Sequence, residues 1–345
     1  RAVDQARIYP ALVEFEASLA QLAADPLSAP FREAVLESAR TAATGFGLAT
    51  QGLDSAAEQS QFAAQNGVDR VNVLASELAR ANTNIARTRE GSVSNAALLD
   101  QRDALLRDLS TLTGISTRFD NAGRVAVRLG DAGGPLLVEG NTAQTMAMST
   151  QPNGSIQFAV DGNAVAPGAG QLGGYASALD RIAVLRSDLD TVANDLIART
   201  NSAQANGATP SGAGGEPFFT GSGAADIAVA LASGAGIATA PAGSPANSRD
   251  IGNLAALQSA LSEGGPTAAL DKIIFGLSSE INARGITRDV LETVADSAAA
   301  ALASETAVDL DEEAANLVRF QQAFQASGRV IQAATDIFDT ILSIR

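Results

Sequence analysis

The chain has 345 residues, 46% hydrophobic but only 4% aromatic, with no cysteine, histidine or tryptophan and a single lysine, Lys272. That inventory removes structural zinc, cysteine nucleophiles, histidine general bases and disulfides together, and the formal net charge of -15 argues against nucleic acid and anionic membrane surfaces as partners. The length suffices for a substantial core in two or three domains, and no run approaches the roughly 20 apolar residues of a membrane span, so no membrane insertion is expected.

Residues 4 to 24 predict a first helix ending at Asp25-Pro26, because the residue before a proline is biased away from the helical region. Ser28 is placed to cap a second helix with Pro30 in its first turn. From Phe31 to about Arg87 there is no proline, and the files Phe46/Leu53/Leu74 and Ala57/Ala64/Val71/Leu78/Ile85 persist at heptad-like spacing. They predict one long helix, softened and open to kinking at Gly45, Gly47, Gly52 and Gly67, each costing about 1 kcal/mol relative to alanine. Glu90-Gly91-Ser92 is a turn, and Asn95 to Leu112 returns as a shorter helix carrying Leu98, Leu99, Leu105, Leu106, Leu109 and Leu112, stopped by Gly114.

The period then changes from helical to two. Ile115, Thr117 and Phe119 alternate, DNAG at 120 to 123 makes a turn, and Val125, Val127 and Leu129 alternate again, which predicts a hairpin. Pro135 to Val138, Thr145 to Met148 and Ser155 to Val160 read as further short strands. Helix resumes from about Tyr175 to Gln204, with Leu179, Ile182, Leu185, Leu189, Val192, Leu196 and Ile197 on its buried side. Residues 206 to 250 are rich in Gly, Ala, Pro and Ser, with PFF at 217 to 219 and DIAVAL at 226 to 231 as the only anchors. They are expected to form a loop-rich connection with little core of its own. Helices return at Asn253 to Leu261, Thr267 to Arg284 and Thr287 to Ser304.

The last 37 residues, Asp309 to Arg345, contain no proline and one glycine, Gly328. Leu310, Leu317, Phe324, Ile331 and Phe338 fall seven apart, and Phe320, Ala334 and Ile341 stand three further on. Apolar residues at this spacing stay on one side of a slightly supercoiled helix and form a seam for another helix. Val330, Ile337 and Ile344 widen the stripe beyond what one partner covers. Asp309 can cap the first amides, and Asp311, Glu312 and Glu313 place negative charge at the positive end of the helix dipole. As one helix the segment is about 55 Å long. A heptad stripe is equally the mark of an ordinary intramolecular packing; the candidate partner-binding residues are Leu310, Leu317, Phe320, Phe324, Ile331, Phe338 and Ile341.

Candidates for chemistry are few. Gly168, Gly170 and Gly173 spell GxGxxG with Asp190 downstream, but Pro167 precedes the motif and Asp190 falls inside the following helix rather than on a second strand, so a glycine-rich linker is the expectation. Asp100 and Asp103 share a helix face, with Arg102 and Arg107 beside them, which suggests surface ion pairing. Asp311, Glu312 and Glu313 are explained by the first helical turn, and sugar-cleaving carboxylates would need aromatic surface that this chain lacks. Ser278 and Ser279 lie one to two turns from Lys272 without forming a recognisable nucleophile-base pair.

The terminal stretch, through Leu310, Asp311, Glu312, Glu313, Ala315, Asn316, Leu317, Gln321, Gln322, Phe324, Gln325, Ala326, Phe338, Asp339 and Leu342, resembles the C-terminal signature of the flagellar axial proteins. Within that group the chain is most similar to the hook-associated protein 1 family. FEASLAQLAADPLSAPFREAVLESA at 15 to 39, NAALLDQRDALLRDLSTLTGIS at 95 to 116 and GQLGGYASALDRIAVLRSDLDTVANDLIARTNSAQANG at 170 to 207 resemble that family's segments in order. The family's N-terminal helix and GYxRQ-like motif have no counterpart, and the chain opens at Arg1 without a methionine. It is therefore expected to be a fragment or processed form whose terminal helix lacks its usual intramolecular partner.

The resemblance implies a mainly α fold with a β insertion, a long-helix bundle built from N- and C-terminal segments with a small β-rich domain between. The divisions expected are 1–114, 115–172, 173–206, 207–266, 267–308 and 309–345. It also implies a structural role in the flagellum, joining hook to filament without catalysis or cofactor. The implied partners are the hook protein, hook-associated protein 3, further copies in a ring, and an export chaperone on the C-terminal helix. No cleaved leader is expected, and the resemblance implies type III export to the cell exterior as an unfolded chain instead. The alternatives are another axial subunit, filament-type or hook-associated protein 3, and a flagellum-associated peptidoglycan hydrolase.

Overall fold

In the computed structural model, residues 8–306 and 310–343 are described, with side chains over 8–304 and 314–334. The chain divides into two units, one up to Gly276 and one from Leu277.

In the first unit, helix α1 (Ile8–Ala24) buries Ile8, Leu12, Phe15, Leu19 and Leu22. Three- and four-residue spacing puts them on one side of the helix. After the break at Pro26, α2 (Ala29–Arg87) runs for 59 residues, about 90 Å at the α-helical rise. It passes through Gly45, Gly47, Gly52 and Gly67 without interruption. Both apolar files foreseen for it are buried, from Phe46 to Ile85. Ser28 occupies the N-cap position of α2 but makes no side-chain cap bond, contrary to expectation. Pro30 removes one of the two amides that such a cap would serve.

Helix α3 (Val93–Leu112) folds back on α2, capped by Ser92, whose Oγ accepts from the Asn95 amide at 3.2 Å. The chain then forms seven short strands in two antiparallel sheets. β1 (Ile115–Phe119), β2 (Val125–Leu129), β3 (Leu136–Glu139) and β4 (Thr142–Ala143) pair in sequence order. β5 (Met146–Thr150), β6 (Ile156–Val160) and β7 (Asn163–Val165) pair likewise. The expected hairpin has the register Ile115↔Leu129 to Phe119↔Val125. The two- and three-residue β4 and β7 escaped the sequence reading because so few residues cannot display a period. Inward residues of both sheets, among them Val125, Val127, Leu137 and Phe158, share one core with Leu74 and Leu78 of α2 and Leu106 and Leu109 of α3.

Two asparagines on α2 hold these sheets. Asn82 Oδ1 accepts from the Val125 amide at 2.8 Å, while its Nδ2 donates to the carbonyls of Val125 and Gly140 at 2.8 and 2.9 Å. Asn72 does the same at Met146, accepting from the amide at 2.8 Å and donating to the carbonyl at 3.0 Å. Each side-chain amide thus pairs with a strand as a neighbouring strand would. Asn82 is fully buried, so Asn82→Ala strands two carbonyls and an amide and is expected to cost about 3 kcal/mol. A fall in the urea midpoint at constant slope is the measurement, and a change under about 1 kcal/mol would show that the clasp contributes little.

Helix α4 (Gly170–Ala205) returns along α2. The glycine-rich stretch before it is a close-contact junction. At Gly170, with φ +76°, a Cβ would lie 2.6 Å from the Thr113 amide nitrogen at the end of α3, and at Gly173 it would lie 2.5 Å from the Pro167 carbonyl oxygen.

Residues 207–251 differ from the loop-rich connection with little core expected for them. Phe218 and Phe219 are buried against Phe15 of α1 at ring-centroid distances of 5.8 and 6.0 Å. Ala208, Ala224, Ile227, Ile237, Ala238 and Ala240 are buried as well. Strands of two residues each, β8 (Gly207–Ala208) with β11 (Ala240–Pro241) and β9 (Phe219–Thr220) with β10 (Ala228–Val229), pin the segment. The glycines permit contact: a Cβ on Gly234 would lie 2.6 Å from Arg32 Cβ. Composition that reads as a linker is here the condition for backbone to lie directly on helices.

Polar side chains complete the attachment. Arg32, at the head of α2, donates to the carbonyls of Pro26, Gly234 and Ile237 at 2.7, 3.1 and 2.7 Å and to Thr239 Oγ1 at 2.9 Å. Glu33 accepts from the Gly234 amide at 2.8 Å. On α4, Asn201 Oδ1 accepts from the amides of Phe218 and Phe219, and Gln204 Oε1 accepts from that of Ala238. Helix α5 (Gly252–Ser262) adds Asn253, which donates to the Ala238 carbonyl at 2.8 Å.

Helix α6 (Pro266–Thr306) begins in the first unit and continues into the second as one helix through Gly285, where two had been expected. At Gly285 a Cβ would meet nothing within 4 Å, and one glycine lowers helix stability without ending a helix. The second unit also contains α7 (Leu310–Ser343). The architecture is mainly α, with the β insertion between long helices.

Candidate assembly interface

The seam expected at the C-terminus falls on α7, a single 34-residue helix. Of its seven candidate residues, Leu317, Phe320, Phe324 and Ile331 have described side chains, and all four are exposed, Phe320 to 76% and Phe324 to 82%. Leu317, Phe320 and Phe324 line one shallow apolar hollow together with Gln321, Ala323 and Ser327. The side chains of Leu310, Phe338 and Ile341 lie outside the described residues, as do the caps proposed for Asp309 and its acidic neighbours. Val330, of the second file, is exposed, and Arg319 and Arg329 are exposed too.

Fully burying one phenylalanine is worth about 1.5–3 kcal/mol, and soluble monomers rarely expose contiguous apolar patches of this kind. The arrangement suits docking by helix-to-helix packing and holds no reacting group.

The other sequence candidates resolve into structural roles. No parallel strand pair flanks the GxGxxG stretch: β7 is antiparallel to β6. Asp190 accepts from the Ala224 amide at 2.8 Å, which anchors the 207–251 segment to α4. In the acidic pair on α3, Asp103 is held by Arg102 through Nε and a terminal nitrogen at 2.8 and 2.7 Å. Arg102 is itself buried, donates to the Gly123 carbonyl and lies over the Phe119 ring at 4.6 Å. That contact ties the hairpin to α3, where surface pairing had been expected. Among the described residues no group of three or more His, Cys, Asp or Glu could hold a metal ion, and no helix is long and apolar enough to cross a membrane.

Sequence reasoning missed the residues that attach irregular segments to helices: Arg32, Asn72, Asn82, Asn201, Gln204 and Asn253. Their available signal was a lone polar residue among buried positions, as at Asn82 between Leu78 and Ile85.

Long helices enclose a β insertion, and the described heptad residues near the C-terminus are exposed; the family models place this arrangement among the flagellar proteins. The model of the basal body rod FlgEFG protein C-terminal region matches residues 303–344, and that of the flagellar hook-associated protein FlgK helical domain matches residues 2–219. The chain belongs to the FlgK family of flagellar hook-associated proteins. Flagellar hook-associated protein 1 of Escherichia coli K12 is 30% identical over 156 residues, which is 44% of this chain and 28% of that protein. The hook junction protein FlgK from Burkholderia pseudomallei superposes with a TM-score of 0.53 at 25% identity, covering 62% of this chain and 40% of that one. The chain therefore spans less than half the length of either relative.

Proposed function

We propose that this chain is a structural adaptor of the bacterial flagellum that joins hook to filament by helix bundling and subunit packing. The observation that carries the proposal is the exposed row Leu317, Phe320, Phe324 and Ile331 on α7, in a chain of the FlgK family. Its partners are the hook protein, hook-associated protein 3 and further copies in a ring, with Leu310, Phe338 and Ile341 completing the seam. The division of labour in this reading follows the segments: 1–114, 173–206 and the C-terminal helices of 267–308 build the bundle, 115–172 is the β-rich insertion, 207–266 is the Gly/Ala/Pro-rich loop region, and 309–345 is the assembly helix.

An apolar face of this size needs cover before assembly, so an export chaperone on α7 is part of the proposal. Type III export of an unfolded chain to the cell exterior is consistent with the absence of cysteine, since no disulfide forms to obstruct a narrow channel. In this reading the chain acts without turnover, and two of its acidic side chains, Asp103 and Asp190, bond Arg102 and the Ala224 amide.

The test is to mix the purified chain with isolated hooks and isolated filaments and locate it by electron microscopy. Decoration of hook ends is expected; binding along filament walls, or to neither, would overturn the adaptor reading in favour of another axial role.

A further inference from the structure

The chain contains three Asn-Gly pairs, Asn66-Gly67, Asn153-Gly154 and Asn206-Gly207. A glycine after asparagine leaves its amide nitrogen unshielded by a side chain, so the nitrogen can reach the asparagine Cγ if the backbone is free to turn. Two pairs are denied that freedom. Asn66-Gly67 lies inside α2, where a Cβ on Gly67 would be 2.8 Å from Leu172. Asn206 caps α4, its Nδ2 donates to the Ser202 carbonyl at 2.9 Å, and Gly207 is buried in β8.

Asn153 is different. It is exposed at the tip of the β5–β6 hairpin, followed by Gly154 at φ +87°. Its Oδ1 accepts two hydrogen bonds, from the Ser155 amide at 3.1 Å and from Ser155 Oγ at 2.8 Å. Both donors withdraw electron density from the side-chain carbonyl and stand where negative charge would collect during attack on it. What opposes reaction is the hold on the turn, from the Gly154 amide to the Gln151 carbonyl at 2.9 Å, from the Gln151 amide to the Ser155 carbonyl at 2.8 Å and from Gln61 to the Gly154 carbonyl, and opening a hairpin tip is a local event.

We propose that Asn153 is a self-catalysed modification site, at which the side chain deamidates through a cyclic imide. The Gly154 nitrogen, after giving its proton to water or hydroxide, bonds to Cγ, and the electron pair moves onto Oδ1 under the Ser155 donors. The pair returns, the Cγ–Nδ2 bond breaks, and ammonia leaves with a proton from water. A water molecule then opens the imide at either carbonyl, leaving aspartate or isoaspartate. The sequence is redox neutral: one water is consumed and one ammonia released. The new carboxylate arises near Arg186, whose guanidinium would be 3.0 Å from a Cβ on Gly154. Isoaspartate also lengthens the backbone of a turn that Gln61 holds through the Gly154 carbonyl at 2.9 Å.

The full chain, warmed at mildly alkaline pH, is digested and its three Asn-Gly peptides are followed by mass spectrometry. Conversion at Asn153 is expected to run at least about tenfold ahead of the other two, equivalent to about 1.4 kcal/mol in barrier, and all three should converge in urea. Ser155→Ala should slow it about fivefold, the worth of one hydrogen bond. Equal rates at the three sites in the folded chain, or an inert Asn153, would overturn the site. An unchanged rate in Ser155→Ala would overturn the part given to that side chain.

Discussion

Arg32→Met is expected to destabilise the first unit by about 4 kcal/mol, near the upper end for a single substitution. Arg32 is 3% exposed and its described hydrogen bonds go to neutral acceptors alone, three carbonyls and the Thr239 hydroxyl. Burial pushes its pKa down to about 10, so it stays charged at neutral pH. Because the folded value lies below the unfolded one, the unfolded chain holds this proton more tightly, and stability attributable to this group rises with pH only above about 10. The cation is therefore kept for its geometry.

Methionine fills comparable space but removes the donor to four acceptors, of which the Gly234 carbonyl alone keeps a described partner, the Ile237 amide at 3.1 Å. Arg32→Lys should rescue little, since a single ammonium cannot reproduce the planar fork. Chemical denaturation gives the free energy, and limited proteolysis should show earliest cutting within 207–251, the segment Arg32 holds. A loss below about 1 kcal/mol would mean that Phe15, Phe218 and Phe219 suffice to hold it.

Phe324→Asp is expected to leave the melting temperature of the chain unchanged and to abolish its incorporation at hooks as completely as removal of residues 309–345. The side chain is 82% exposed, so the folded chain loses little by the change. In an assembled seam the phenylalanine contributes about 1.5–3 kcal/mol, or roughly 10- to 100-fold in affinity per contact, and a carboxylate there adds an uncompensated desolvation cost. Sedimentation with purified hooks, beside thermal unfolding of the free chain, separates the effects. Wild-type incorporation of either variant would remove α7 from the interface, and a lowered melting temperature would show that Phe324 serves the chain's own fold.

The parts of this fold that were legible in the sequence are those that local rules specify. The files Phe46/Leu53/Leu74 and Ala57 to Ile85 announced α2 because a helix repeats its environment every few residues. The hairpin at 115–129 followed from strict alternation around a DNAG turn. The heptad on α7 was readable for the same reason, and the structure adds that its described members are exposed.

What stayed hidden depends on partners distant in the chain. Asn82 acts on Val125, 43 residues away, and Arg32 on Ile237, 205 residues away, and no window of sequence contains both ends. The 207–251 segment was misjudged because its stabilisation comes from small residues lying against helices and from borrowed hydrogen-bond partners, neither of which produces a period. Burial of Phe218, Phe219 and Ile227 shows that the PFF and DIAVAL stretches were the right anchors, in a segment far better packed than its composition suggested.

The asparagine clasps on α2 have one more consequence. The described side-chain hydrogen bonds of Asn72 and Asn82 go to main-chain atoms of Met146, Val125 and Gly140, and such atoms are common to all amino acids. At Met146 and Val125 the attachment is thus blind to side-chain identity, whereas Gly140, at φ +58°, stands where glycine is favoured. Outward-facing positions of the two sheets are free to drift or be grafted wholesale, provided the incoming strands begin level with the same two rungs of the helix.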